Sequence, residues 1–192
     1  MTIKRTDKQQ LIDNASALFS LQGYHFTSIA DIAEACNLSK GSLYHYIDSK
    51  LDLGKSVIKS AHNYFQENLF SISHDESKTP FERFQLMVNS MHDHFIENSS
   101  SGLLLSMGAE VVNSVPEFVT ALRDFFRDWI NAFQSLLSSF FETSEESEFQ
   151  AKRMLCELQG AVFFNRMFDD VSALTLWKKE SIQLLEKQAV TS

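Results

Sequence analysis

Two prolines and six glycines are few for a chain of 192 residues. An all-β fold places such residues at most strand-to-strand turns, so their scarcity disfavours that class and favours long uninterrupted helices. Cysteine is scarce as well. Cys36 and Cys156 lie far apart without Cys-x-x-Cys spacing, which yields neither a zinc site nor a disulfide framework and suits a reduced, cytoplasmic setting. No run approaches the roughly 18 apolar residues of a membrane span, and the opening MTIKRTDKQQ lacks the apolar stretch of a secretory signal. The expectation is an all-α, soluble, intracellular protein that needs no cofactor and no metal.

Excess basic charge is also missing. The net charge is −8, which by itself argues against a nucleic-acid partner, whose phosphates repel an acidic surface. The distribution is uneven. Residues 1–60 hold seven Lys/Arg against six Asp/Glu, a net +1, whereas residues 61–192 hold ten against nineteen, a net −9. The acidity therefore belongs to the C-terminal part, and the first 60 residues remain open to a DNA role.

What the chain has in quantity is phenylalanine, 17 residues, and helical periodicity. Leu11, Ile12, Ala15, Leu18 and Phe19 recur at three and four residues, giving a helix over about Arg5–Leu21 that Gly23 ends. Thr27 or Ser28 opens the next, Ser28-x-x-Asp31 having the form of a capping box, with Ile29, Ile32 and Ala33 inward. Asn37 tolerates the left-handed turn that follows, and Leu38 is an apolar plug. Ser39 caps the short segment SKGSLYHYI, and Ser49-x-x-Asp52 caps a long helix toward Ser73. Further apolar stripes predict helices near 80–98, 103–113, 116–141, 147–168 and 172–188; the last two are joined at FDDVS, where Asp169 or Asp170 caps.

Residues 27–50 thus carry two short helices around a tight turn, with Ala33 and Ala35 small enough for close crossing, which is the organisation of a helix-turn-helix. In such a unit the second helix enters the major groove and its N-terminal residues meet base edges. Those are Lys40, Gly41 and Ser42. Lys40 and Lys50 bring charge to phosphates, Thr27 and Ser39 bring hydroxyl donors, and Gly41 lets backbone approach. Tyr44, His45 and Tyr46 offer flat polar tips, whereas Leu43 and Ile47 face inward. Lys4, Arg5 and Lys8 form a basic patch at the first helix.

The segment TSIADIAEACNLSKGSLYHYIDSKLDL resembles the DNA-binding signature of TetR/AcrR-family regulators over about residues 5–55. Asn37 stands where the family usually has a turn glycine, and Ile47 where it has an aromatic. The resemblance implies a three-helix DNA-binding domain over 1–50 and a helical regulatory and dimerisation domain over 51–192. It assigns DNA contact to Thr27, Lys40, Gly41, Ser42, Tyr44, Tyr46 and Lys50, beside which Ser28, Ser39 and His45 are candidates by residue type and position. It further implies a homodimer on a palindromic double-stranded DNA operator, two recognition helices about 34 Å apart reading successive turns. The last two helices would form the interface, placing Leu155, Leu158, Phe164, Leu174, Trp177 and Leu185 at the two-fold axis or in the core beneath it.

The family's pocket lies in the body, where Tyr64, Met87, Met91, Phe95, Met107, Phe126 and Trp129 are candidate walls for a small apolar or aromatic effector. Release of a repressor by such an effector is the leading expectation, and a body that answers a protein partner or has no pocket is the alternative. SGLLLSMGAEV loosely resembles a subgroup opening Gly-Cys-Leu, but Leu103 follows Gly102, so that thiol is missing. Cys36 and Cys156 are expected to be buried small hydrophobes. His92 and His94, two apart, point to different helix faces and do not jointly hold a metal. With no nucleophile–base pair or phosphate loop either, an enzyme is disfavoured.

Overall fold

The computed structural model describes residues 8–98 and 102–191, with side chains through Glu186. Among these residues all regular structure is helical: α1 (Lys8–Gln22), α2 (Ile29–Ala35), α3 (Lys40–Leu43), α4 (Lys50–Asn68), α5 (Pro80–Glu97), α6 (Leu103–Val111), α7 (Pro116–Leu137), α8 (Ser144–Phe168) and α9 (Ser172–Thr191), with a 3-10 turn at Phe70–His74. None of the described helices is long and apolar enough to cross a membrane.

Local chemistry explains where the helices stop. Gly23, at φ +88°, ends α1, and its N–H returns to the Phe19 carbonyl. Asn37 takes the left-handed conformation at φ 54° between α2 and α3, as its short polar side chain permits. The long α4 stops at Asn68 rather than running toward Ser73. There Asn68 Nδ2 donates to the Tyr64 carbonyl (2.8 Å) and Ser71 Oγ to the Glu67 carbonyl (2.8 Å), so side chains take over the carbonyls of the last turn. Similarly, α7 ends at Leu137, short of 141, and α8 begins at Ser144 because Thr143 Oγ1 accepts from Glu146 N–H (3.1 Å). The acidic run ETSEESE therefore opens a helix, its glutamates lying at the positive end of the dipole.

The described residues form two compact units. One holds those up to Asn63 with Gly102–Arg123; the other holds Tyr64–Asn98 and those from Asp124 onward. This grouping differs from the boundary expected between residues 50 and 51, because α6 and the start of α7 pack into the N-terminal unit. Its core contains Leu11, Ala15, Phe19, Ile32, Leu43, Leu53, Met107 and Phe118, and Tyr24 sets its ring edge-on against Phe19 (5.2 Å) and Phe118 (5.0 Å). α4 passes so close to Phe118 that a Cβ on Gly54 would stand 2.4 Å from the ring. Only glycine fits there.

The second unit has a dense aromatic core. Phe65 meets Phe125 (5.1 Å) and Trp129 (5.2 Å), while Phe95 stacks on Trp129 with an interplanar angle of 4°. α8 and α9 form a helical hairpin. Asp169, left-handed at φ 52°, closes α8, and Asp170 Oδ1 accepts from Ser172 N–H (2.8 Å) at the start of α9. Of the two aspartates expected to cap the second of these helices, Asp170 does so, and Asp169 ends the first instead. Leu158, Leu174 and Leu185 are fully buried, and Trp177 Nε1 donates to the Met154 carbonyl (3.0 Å).

Candidate nucleic-acid interface

Each of the two short helices is pinned by a serine cap, reciprocal at α2 and one-way at α3. Ser28 Oγ accepts from Asp31 N–H (3.2 Å) and Asp31 Oδ2 accepts from Ser28 N–H (2.7 Å). Those bonds to Ser28, first through its backbone, hold the Asp31 carboxyl below its ordinary range. At α3, Ser39 Oγ accepts from Ser42 N–H (3.1 Å). α3 is a single turn that continues as hydrogen-bonded turns through Tyr46, shorter than the run expected over residues 39–47.

With Leu43 and Ile47 buried, the remaining residues of this segment are turned outward. Ser39, Lys40, Gly41, Tyr44 and His45 are exposed; Ser42 and Tyr46 are half-buried. Gly41 has an ordinary backbone, and a Cβ there would meet nothing nearer than Ser39 Oγ at 3.9 Å. The fold leaves that position open.

Thr27 and Ala35 are placed differently from the expectation. Thr27 is completely buried, its hydroxyl donating to the Gly23 carbonyl (2.7 Å) and accepting from Gln22 Nε2 (3.2 Å). Its oxygen is taken up by the α1–α2 turn and is withdrawn from the phosphate contact expected of it. Ala35 is exposed, so the close crossing of helices uses Ala33 alone, and Leu38 is half-buried. Lys4 and Arg5 lie outside the described residues.

Lys50 is half-buried and bent inward. Its ammonium stands 4.4 Å from the centre of the Tyr24 ring and 3.3 Å from the His25 carbonyl. Burial lowers its pKa, an effect opposed by the negative charges of Glu110 and Asp31. The carboxylate of Glu110, on α6, accepts from the N–H groups of Tyr24 (2.8 Å) and His25 (2.6 Å), and His25 Nε2 lies 2.8 Å from Ser114 Oγ. The turn ahead of the reading helices is thereby fastened from two sides.

Residues 11–57, which span α1, α2, α3 and the start of α4, match the model of bacterial regulatory proteins of the tetR family. The match covers the whole reading segment and supports a TetR-family transcriptional regulator. It is 27% identical over 195 residues to an uncharacterised HTH-type transcriptional regulator, YxaF of Bacillus subtilis, covering 98% of this chain and 100% of that one. It is 30% identical over 122 residues to IcaR of Staphylococcus epidermidis, a negative regulator of the biofilm operon icaADBC, covering 61% of this chain and 65% of that one. Among solved structures, a TetR regulator from Legionella pneumophila superposes with a TM-score of 0.82 at 25% identity, covering 96% of this chain and all of that one.

From its resemblance to the TetR family the chain was expected to carry an effector pocket and a dimer surface in its body. The seven candidate pocket residues do not share a unit: Met107 lies in the N-terminal one, and Tyr64, Met87, Met91, Phe95, Phe126 and Trp129 in the other. Met87, Met91, Met107, Phe95 and Trp129 are shielded from solvent, Phe126 is half-buried, and Tyr64 is exposed over the His94 ring at 5.3 Å. The Trp129 ring is packed by Phe65 (5.2 Å), Phe125 (5.5 Å), Phe70 (6.0 Å) and Phe95 (6.0 Å), and Phe65 and Phe70 had not been among the expected wall residues. Trp129 Nε1 and His94 Nε2 are buried without a hydrogen-bond partner. A cleft of about 390 Å³ lies elsewhere, among Gln134, Ser138, Phe141, Thr143 and Ser147, and involves none of the seven.

Five of the six expected interface residues, Leu155, Leu158, Leu174, Trp177 and Leu185, are buried within the chain's own α8–α9 packing, and only Phe164 is exposed. A different apolar set faces outward: Phe149, Phe163, Met167, Phe168, Val171 and Leu176. Cys156, expected to be buried, is exposed on this same helix, while Cys36 is buried. Two apolar stripes run along α8, and of the two places expected for these residues the five buried ones take the core. Their offset, with Phe149, Cys156 and Phe163 recurring every seven residues beside the buried Ala151, Leu155, Leu158 and Val162, was the available signal for the outward stripe.

Proposed function

We propose that the chain acts as a homodimeric repressor that binds a palindromic operator through α3 and is released by a small molecule bound in its second unit. The reading is carried by the outward set Lys40, Gly41, Ser42, Tyr44 and His45 on a capped one-turn helix. That set combines a phosphate-seeking charge, an open backbone position and hydrogen-bonding tips where a helix-turn-helix meets base edges. Ser28, Ser39, Tyr46 and Lys50 flank it. Dimerisation is supported by the apolar face of α8 and α9, where Phe163 is 60% and Phe168 63% exposed; that much clustered aromatic surface marks an interaction site. Repression is supported by the likeness to IcaR, a negative regulator.

Two observations bear on the effector. The unpartnered Trp129 N–H supports a ligand that supplies an acceptor, because an unsatisfied buried donor is costly. The direct packing of Phe65 and Phe95 on that indole supports the second reading, a dimer whose body has no preformed pocket.

Selection of duplexes from a random pool by the purified chain tests the proposal. The expected product is a two-fold symmetric site with half-sites about one helical turn apart, bound by a dimer. Phe163→Glu with Met167→Glu is expected to give a monomer with at least tenfold weaker binding, by loss of the paired half-sites. Asymmetric selected sites, or full affinity in a monomeric variant, would refute it.

A further inference from the structure

Phe26 is 85% exposed, yet it is presented from one of the most firmly tied turns of its unit. On one side the N–H groups of Tyr24 and His25 donate to Glu110, and Lys50 Nζ donates to the His25 carbonyl. On the other, the Thr27 hydroxyl donates to the Gly23 carbonyl and Ser28 N–H to Asp31. The ring adds little to the core, and keeping it in water forgoes the gain that burial would bring. A fixed backbone that holds a large apolar ring outward is preorganised for a partner.

The place of the ring indicates which partner. Its backbone lies between the His25 carbonyl that receives the Lys50 ammonium and Ser28 at the start of α2, two of the residues that flank the outward set being thus beside it. In a helix-turn-helix the first helix of the pair crosses the DNA backbone while the second reads the groove. There each sugar presents apolar C–H faces between charged phosphates. The first 60 residues carry a net charge of only +1, so phosphate attraction contributes little and contacts independent of charge matter more.

We infer that Phe26 packs on the deoxyribose of an operator strand where α2 crosses it, adding affinity that does not depend on counterion release. The inference rests on the DNA-binding reading of α2 and α3.

The test uses a fluorescent duplex selected from a random pool by the wild-type chain, with binding followed over roughly 50–200 mM salt. Phe26→Ala is expected to weaken binding about tenfold at every salt concentration while leaving the log–log salt slope unchanged. Its melting temperature should equal that of the wild type, since the ring supports little of the core, and Phe26→Leu should recover most of the affinity. Unchanged affinity in Phe26→Ala overturns the inference. So does a loss that comes with a shallower slope, which would mean displaced phosphate contacts. A change in the native mass of free Phe26→Ala also overturns it, because the ring would then pack on a second copy of the chain. If the wild type selects no duplex, the DNA-binding reading itself fails.

Discussion

Glu110 offers the sharpest test of how the reading helices are held. Its carboxylate accepts two backbone N–H groups, from Tyr24 at 2.8 Å and His25 at 2.6 Å, and so ties α6 to the turn between α1 and α2. Hydrogen bonds to a charged acceptor contribute about 1.5–3 kcal/mol each. Here the His25 bond is exposed and the Tyr24 bond only partly buried, so the freed amides regain water and the pair is worth roughly 2 kcal/mol in all. Glu110→Ala should lower stability to urea by about that amount, despite the better helix propensity of alanine. Glu110→Gln, which keeps one neutral acceptor, should fall about midway. The effect is also local, and hydrogen exchange at the Tyr24 and His25 amides should speed up by roughly 30-fold, the equivalent of 2 kcal/mol. If exchange at those two amides is unchanged in Glu110→Ala, the fastening role assigned to this carboxylate is wrong.

Burial lowers the pKa of His94 to about 4, so between pH 6.5 and 4 the unfolded chain binds a proton that the folded chain does not. Stability is therefore expected to be full above about pH 6.5 and to fall by roughly 1–2 kcal/mol on acidification through pH 4, allowing for the partial exposure of the ring. Urea melts across that range should show the decline in the wild type and a smaller one in His94→Gln; equal slopes would contradict the assignment. Two glycines should respond in opposite ways. Gly54→Ala, with its Cβ 2.4 Å from Phe118, should cost about 1–3 kcal/mol by overpacking, whereas Gly41→Ala, with open space, should stabilise by about 0.5–1 kcal/mol and weaken duplex binding. Thermal melts and anisotropy titrations of the same two proteins check both, and a stabilised Gly54→Ala would refute the close-contact argument.

What the sequence determined by itself was the local part. Helix starts depend on groups within three residues of each other, so the Ser28–Asp31 box, the Ser39 and Ser49 caps and the left-handed Asn37 were all legible from spacing and residue type. The all-α class and the outward set on α3 followed from periodicity, because Leu43 and Ile47, four apart, had to turn inward together.

Tertiary structure decided matters that periodicity leaves degenerate. α8 carries two apolar stripes, and helical spacing alone does not say which one its own chain covers; contact with α9 chose Leu155, Leu158 and Val162 and left Phe149, Phe163 and Met167 outside. Thr27 and Lys50 matched a contact pattern by residue type, yet one hydroxyl was consumed by its own turn and one ammonium folded onto Tyr24. Glu110 lies 86 residues from the Tyr24 amide it accepts, and no local pattern links them. A polar group satisfies the nearest partner in space, and that partner is fixed only when distant helices pack.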